Sequence, residues 1–252
     1  MDATNDTIAI ANTRKTARES NVKLVIMRPG NGFFVTFEGL DGTGKTTQIQ
    51  RLSQHLQASG QNFAATRQPG GTEIGNRIRA LLLDSKNTGL SPLAELGLMF
   101  SDRAQSLHEI ILPALHAGKV VLCDRYTDSS EAYQGYGREL GSEIVLALHR
   151  ELCGGLQPHL TFLLLGNPEL DLARAQARNA NHNGVDENRF EAEHKAFHDR
   201  VLRGFQAIAE RDHQRVVKID AARSIEEVHA EIAGVFDTRI KNAIEAVPSV
   251  HP

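Results

Sequence analysis

The sequence predicts an α/β domain: a parallel sheet of five strands covered by helices on both faces. Three observations predict it. Short apolar runs at 33–37, 63–66, 120–123, 160–165 and 216–219 alternate with longer stretches of helical period, and strands separated by helices pair in parallel. The chain has 252 residues, 40% of them hydrophobic, enough for one core of ordinary size. Between the first run and the first helix lies Gly39-Leu40-Asp41-Gly42-Thr43-Gly44-Lys45-Thr46, a glycine-rich strand-to-helix turn.

Taken in order, residues 1–30 carry no core pattern and are expected to be a disordered extension. The segment before Met27 is expected to be dispensable, with Met27 as the start used. Phe33-Phe34-Val35-Thr36-Phe37 is the first strand, and Ile49, Leu52 and Leu56 mark one face of the first helix, which stops near Gly60. Phe63–Thr66 is the second strand, followed by a helix with Ile74, Ile78, Leu81 and Leu82 inward. Leu93 to Ala117 has a long helical pattern, bent at Pro113. Val120–Cys123 is a buried strand, and helices cover much of 128–152. Leu160–Leu165 is the fourth strand, Pro168 to Ala177 a helix, and the Asn-rich 179–188 a loop. Phe190 to Ala209 is helical, Val216–Ile219 the last strand and Ser224 to Phe236 the last helix. The domain thus spans 31–238, with 239–252 as a tail.

Whole-chain properties narrow the function class. A formal charge of −3 gives no general attraction to nucleic acid or membrane. Cys123 and Cys153 are too few for a disulfide framework. No apolar run is long enough to span a bilayer, and the N-terminus lacks a signal-peptide core. A cytoplasmic location is expected.

Chemistry is concentrated where strands end. The turn has the P-loop pattern G-x-x-x-x-G-K-[ST], whose backbone N–H groups converge on phosphate oxygens. Gly39, Asp41, Gly42, Thr43, Gly44, Lys45, Thr46 and Thr47 form this cradle. Lys45 is suited to the β- and γ-phosphates and Thr46 to Mg²⁺. Asp124 ends an apolar strand, as a Walker-B carboxylate does, and also fits a helix cap. Arg67, at the end of the second strand, and Arg125, next to Asp124, could clamp a second phosphate, and Asp220 ends the last strand. Together, beside a P-loop that binds a nucleoside triphosphate, they point to phosphoryl transfer between two anions.

Four stretches carry a family resemblance: Phe37-Glu38-Gly39 with the P-loop; Thr66-Arg67-Gln68-Pro69-Gly70-Gly71-Thr72; Asp124-Arg125-Tyr126-Thr127-Asp128-Ser129-Ser130; and Ala132-Tyr133-Gln134-Gly135-Tyr136-Gly137-Arg138. In this order, over about 33–236, they resemble bacterial thymidylate kinase. The resemblance implies a three-layer P-loop kinase fold with a mobile lid at about 174–190. It implies transfer from ATP, with Mg²⁺, to dTMP, and a homodimer. It places Asp41 on the deoxyribose 3′-hydroxyl, Arg67 and Arg125 on the dTMP phosphate, and Ser130 and Gln134 on thymine. Tyr133 packs near C2′, Arg103 reaches a thymine carbonyl, Phe100 stacks on the base, and Asp220-Ala221 lies against adenine. With no basic residue at the variable P-loop positions, the resemblance implies a lid cation: Arg178 first, then Arg174, with Arg189 at the far hinge.

The sequence departs from the family pattern at Gln68, usually Glu; at Leu165-Gly166, usually Asp and a hydrophobic residue; and at Asn188, usually Asp. Phe100 stands three residues before Arg103 where four is commoner, which leaves Met99 as a second candidate for stacking. The rival readings are another nucleoside monophosphate or nucleoside kinase, and a P-loop nucleotide-binding regulator. A GTPase would carry an N/T-K-x-D stretch on a later strand, and none is found.

Overall fold

The computed structural model describes residues 32–180 and 187–245, without the side chains of Gln176, Arg178–Ala180, Ile244 and Glu245. The expectations for residues 1–30, and for the tail beyond 245, lie outside the described residues.

Five strands form one parallel sheet in the order β2-β3-β1-β4-β5. They are β1 (Phe33–Glu38), β2 (Phe63–Arg67), β3 (Val120–Asp124), β4 (Leu160–Leu165) and β5 (Val216–Asp220). β1 is central and wholly buried, because both of its faces are covered. Phe33, Val35 and Phe37 point into one core with Leu52 and Leu56 of α1 (Lys45–Ala58) and Ile232 and Phe236 of α9 (Ile225–Glu245). Phe34 points the other way, into a core with Leu96 and Phe100 of α3 (Pro92–Ser106) and Val145 of α6 (Ser142–Cys153). The polar Thr36 on that second face is satisfied by the Thr161 hydroxyl at 2.7 Å.

The connections follow local chemistry. α2 (Glu73–Leu83) is capped by Thr72, whose hydroxyl accepts from the Gly75 N–H at 2.9 Å. α3 starts with Ser91 as cap and Pro92 in its first turn. Ser224 and Glu227 form a reciprocal capping box at the start of α9. α9 runs on to Glu245, past the expected end at Phe236.

Four expectations are corrected. Ile74 and Leu81 of α2 are exposed, 49% and 54%. The helix instead buries Gly75, Leu82 and Leu83, because Gly75 seats against the Asp102 carboxylate. The bend expected at Pro113 lies one turn earlier, in a π-helical turn at Leu107–Ile111 that leads into α4 (Leu112–His116). Proline has no N–H for the carbonyl four residues back and crowds it, so the ladder changes register ahead of the ring. α7 spans Pro168–Ala180, longer than composition suggested. α8 (Lys195–Arg211) begins only after Phe190, which is buried in the preceding turn.

β1 pairs with β3 on one side and β4 on the other. The chain leaves β1 toward β2 and β3 and later returns on the other side, so the crevice beyond the end of β1 is the topological switch point where such sheets bind ligands.

Candidate active site

The P-loop fills that switch point. Gly44 precedes α1 in the left-handed region (φ 93°), and no side chain caps the helix, so its first N–H groups face outward. Gly42 has φ 84°, and a Cβ there would lie 1.8 Å from the Asp171 carbonyl oxygen on α7. Only glycine lets the loop take this path and come so close. Thr43 Oγ1 donates to the Leu40 carbonyl at 2.9 Å. Lys45 is buried and folds over the loop, donating to the carbonyls of Leu40 at 2.8 Å and Gly39 at 3.2 Å. Burial, then the Arg125 charge, lowers its pKa to about 8. The Thr46 hydroxyl donates to Asp124 Oδ2 at 3.1 Å, so two hard oxygen ligands meet beside the loop, as Mg²⁺ requires. Thr47 follows in the first turn of α1.

After β3 the chain turns sharply. Arg125 has φ 67°, a strained conformation for a non-glycine residue, held by its N–H to the Phe37 carbonyl at 3.0 Å. Its guanidinium donates to Asp41 at 2.7 Å, to the Gly39 carbonyl at 2.9 Å and to Ser129 at 2.9 Å. The Tyr133 hydroxyl donates to the other Asp41 oxygen at 3.1 Å. Phe190, Phe197 and Phe205 pack edge-on around the Tyr133 ring and fix its plane. Beneath them Glu38, wholly buried, accepts from the Tyr126 N–H and the Ser129 hydroxyl. Burial, then the Asp128 charge, raises its pKa to about 7.

A cavity opens between this cluster, α2 and α3, lined among others by Asp41, Gln68, Met99, Arg103, Arg125, Ser130, Tyr133 and Gln134. Arg103 donates to Gln68 Oε1 at 2.8 Å, and to the Tyr126 carbonyl and the Ser130 hydroxyl at 3.0 Å each. Gln134 Nε2 donates to Glu95 at 2.9 Å. Four buried polar atoms on lining residues have no protein partner among the described residues. Tyr126 Oη belongs to a ring packed against Phe34 in the core; the others are Arg103 Nη1, Gln68 Nε2 and Gln134 Oε1. Buried polar groups are rarely left unpaired, so these three mark a place for a polar ligand with acceptors and a donor.

Other predicted site residues fall elsewhere. Phe100 does not line the cavity: it is fully buried under Arg103, whose guanidinium carbon lies 4.7 Å from the ring centre. Met99 lines it instead. Helical phase is the reason: one residue turns a helix by about 100°, which puts Met99 on the cavity side of α3 and Phe100 on its core side. Arg67 is exposed at the end of β2, opposite Asp124 in register, and outside the cavity lining. Asp220 is the last residue of β5 and Ala221 follows it, its N–H donating to the Leu165 carbonyl at 2.9 Å. Arg174 donates to Asp171 at 3.0 Å and is 59% exposed. The Arg178 side chain lies outside the described residues. Arg189 is buried, with Nη1 on Glu95 at 2.7 Å.

Arg79, Glu95 and Glu187 escaped the sequence reading. Arg79 and Glu187 line the cavity as a bidentate pair at 2.7 and 2.8 Å. Glu95 is fully buried behind Gln134. The signal for Glu95 was present: with Asp102 and Ser106 it makes a polar stripe on a helix that also carries apolar residues.

A family model described as thymidylate kinase matches residues 37–232. A thymidylate kinase of Desulfovibrio desulfuricans is 50% identical over 209 residues, 82% of this chain and 96% of the relative. One of Solidesulfovibrio magneticus is 48% identical over 203 residues, 80% and 97% of the two chains. The crystal structure of thymidylate kinase from Ehrlichia chaffeensis superimposes with a TM-score of 0.66 at 31% identity, covering 82% of this chain and all of that one.

Proposed function

Because the chain belongs to the thymidylate kinase family and phosphorylates dTMP, we propose that ATP is the donor, that Mg²⁺ accompanies it, and that dTMP occupies the cavity beside Arg125. The observation that carries the base assignment is the trio of unpartnered atoms. Arg103 Nη1 and Gln68 Nε2 are donors for the two thymine carbonyls, and Gln134 Oε1 is an acceptor for N3–H. Tyr133 walls off the sugar near C2′. Asp41, already held by Arg125 and Tyr133, accepts from the 3′-hydroxyl. Met99, not Phe100, lies along the base.

The P-loop N–H groups and Lys45 hold the ATP phosphates, with Asp220 and Ala221 toward adenine. Thr46 and Asp124 would hold Mg²⁺, which supplies charge neutralisation at the phosphate oxygens. The acceptor phosphate is a dianion, so the protein needs to position and neutralise more than to remove a proton. A dTMP phosphate oxygen bonds to the γ-phosphorus as the bond to the β-bridging oxygen breaks, giving dTDP and ADP. Arg125 steers the acceptor phosphate, and Arg67 approaches from the rim. Lys45 must leave the Gly39 and Leu40 carbonyls for the phosphates, whose negative charge favours its charged form. Arg174 supplies a further cation from α7, with Arg178 one turn on.

We also propose a cytoplasmic homodimer that needs neither nucleic acid nor membrane. Among the described residues no helix is long and apolar enough to cross a membrane. Leu93 on α3 and Ile144 and Leu152 on α6, which packs against α3, are exposed and offer apolar contacts to a second copy. The test is ADP release in a coupled assay with dTMP, dUMP, dCMP, AMP and thymidine. Fastest turnover of dTMP is expected; preference for AMP or for an unphosphorylated nucleoside would refute the assignment.

A further inference from the structure

We propose that Glu95 is a specificity-determining positioning residue: it fixes the Gln134 amide with its oxygen toward the cavity and thereby selects a pyrimidine that carries a proton on N3. The inference rests on the reading of the cavity as the nucleobase site.

Glu95 lies on α3 with its side chain fully buried. Its carboxylate accepts from Arg189 Nη1 at 2.7 Å and from Arg138 Nε at 3.2 Å on each oxygen, with Arg138 Nη2 at 3.1 Å. Flanked by two guanidiniums, it is an acceptor only. Gln134, also fully buried, offers Nε2 to Glu95 Oε1 at 2.9 Å. The reverse orientation would set amide oxygen against carboxylate oxygen at that distance in a dry site, which is strongly unfavourable. Chemistry thus forces the orientation. The amide oxygen is left without a partner among the described residues, on a residue that lines the cavity. Thymine and uracil donate N3–H to it. Cytosine presents a lone pair at N3 and is repelled.

Glu95→Gln tests this directly. Arg138 and Arg189 still require an acceptor, so the new amide turns its oxygen to them and its NH₂ to Gln134. Gln134 then reverses and offers NH₂ to the cavity. The ratio of kcat/KM for dTMP over dCMP should fall by about tenfold, the worth of one buried hydrogen bond, chiefly through KM for dTMP. The ratio for dTMP over dUMP should not change, because both bases carry N3–H. A purely structural role would lower all three substrates together, and that result, or an unchanged dTMP-to-dCMP ratio, overturns the inference. If Glu95→Gln does not fold, Glu95→Leu with Arg189→Met removes charge and partner together, while Arg138 keeps Glu193 at 2.5 Å. The dTMP-to-dCMP ratio should fall there too, and its retention overturns the inference equally. A wild-type enzyme with no preference for dTMP over dCMP would instead overturn the reading of the cavity, and this inference with it.

Discussion

Gly166→Ala probes how α7 is pinned to the P-loop. Gly166 lies between β4 and α7, and a Cβ there would fall 2.3 Å from Asp171 Oδ2 and 2.9 Å from Cγ and Oδ1. All three atoms belong to one carboxylate, which cannot easily move aside. Its side chain is 2% exposed, Oδ1 takes Arg174 at 3.0 Å, and the backbone oxygen of the same residue bears on Gly42. Overpacking of this kind costs about 1–3 kcal/mol, or roughly 2–4 °C of Tm per kcal/mol for a domain of this size. Asp171→Ala alone should stay within about 1 kcal/mol of wild type. It removes a buried oxygen that has no partner among the described residues and an ion pair whose arginine, 59% exposed, returns to water, a loss of about 0–1 kcal/mol. With the carboxylate gone, the added methyl has room. The double variant should therefore match Asp171→Ala, giving a coupling of about 1–3 kcal/mol in a double-mutant cycle from urea unfolding. Gly166→Ala should also raise KM for ATP, because a displaced Asp171 shifts Gly42. Equal cost of Gly166→Ala in both backgrounds, or no cost in either, would refute the packing argument.

The remaining predictions address the site. Lys45→Ala should lower kcat by about 10²–10³ with the fold intact; near wild-type single-turnover rates would remove Lys45 from the phosphate cradle. Tyr133→Phe deletes the hydroxyl that donates to Asp41 but keeps the ring. We expect kcat/KM for dTMP to drop about tenfold, with discrimination against ribothymidine monophosphate retained. Lost discrimination with unchanged dTMP turnover would contradict this. Glu38 has its folded pKa raised from 4.5 to about 7, so its contribution to stability is fully present below about 4.5 and is lost as pH rises through about 7. Glu38→Gln should flatten the urea midpoint against pH in that window; parallel profiles for variant and wild type would count against a proton held on Glu38.

Much of the fold was legible because its signals are local. Five apolar runs separated by helical stretches require a parallel sheet, and each became a strand within a residue of the expected bounds. The P-loop was legible for the same reason: eight consecutive residues contain its turn, its cradle and its cation. Asp124 could be read as lying near Thr46 because both follow strands of one parallel sheet, and parallel register aligns strand ends. What only the tertiary structure decided depends on directions between elements. That Met99 and not Phe100 lines the cavity turned on the phase of α3. The inward face of α2 turned on Gly75 meeting Asp102, a contact between two helices that neither pattern contains. Glu95, Gln134, Arg138 and Arg189 are spread over α3, the π-helical segment Glu131–Gly137 and its cap, and the turn before α8. Sequence shows four polar residues with no reason to meet, and burial gives the reason: a carboxylate can enter a dry interior only with donors around it, so the fold gathers them.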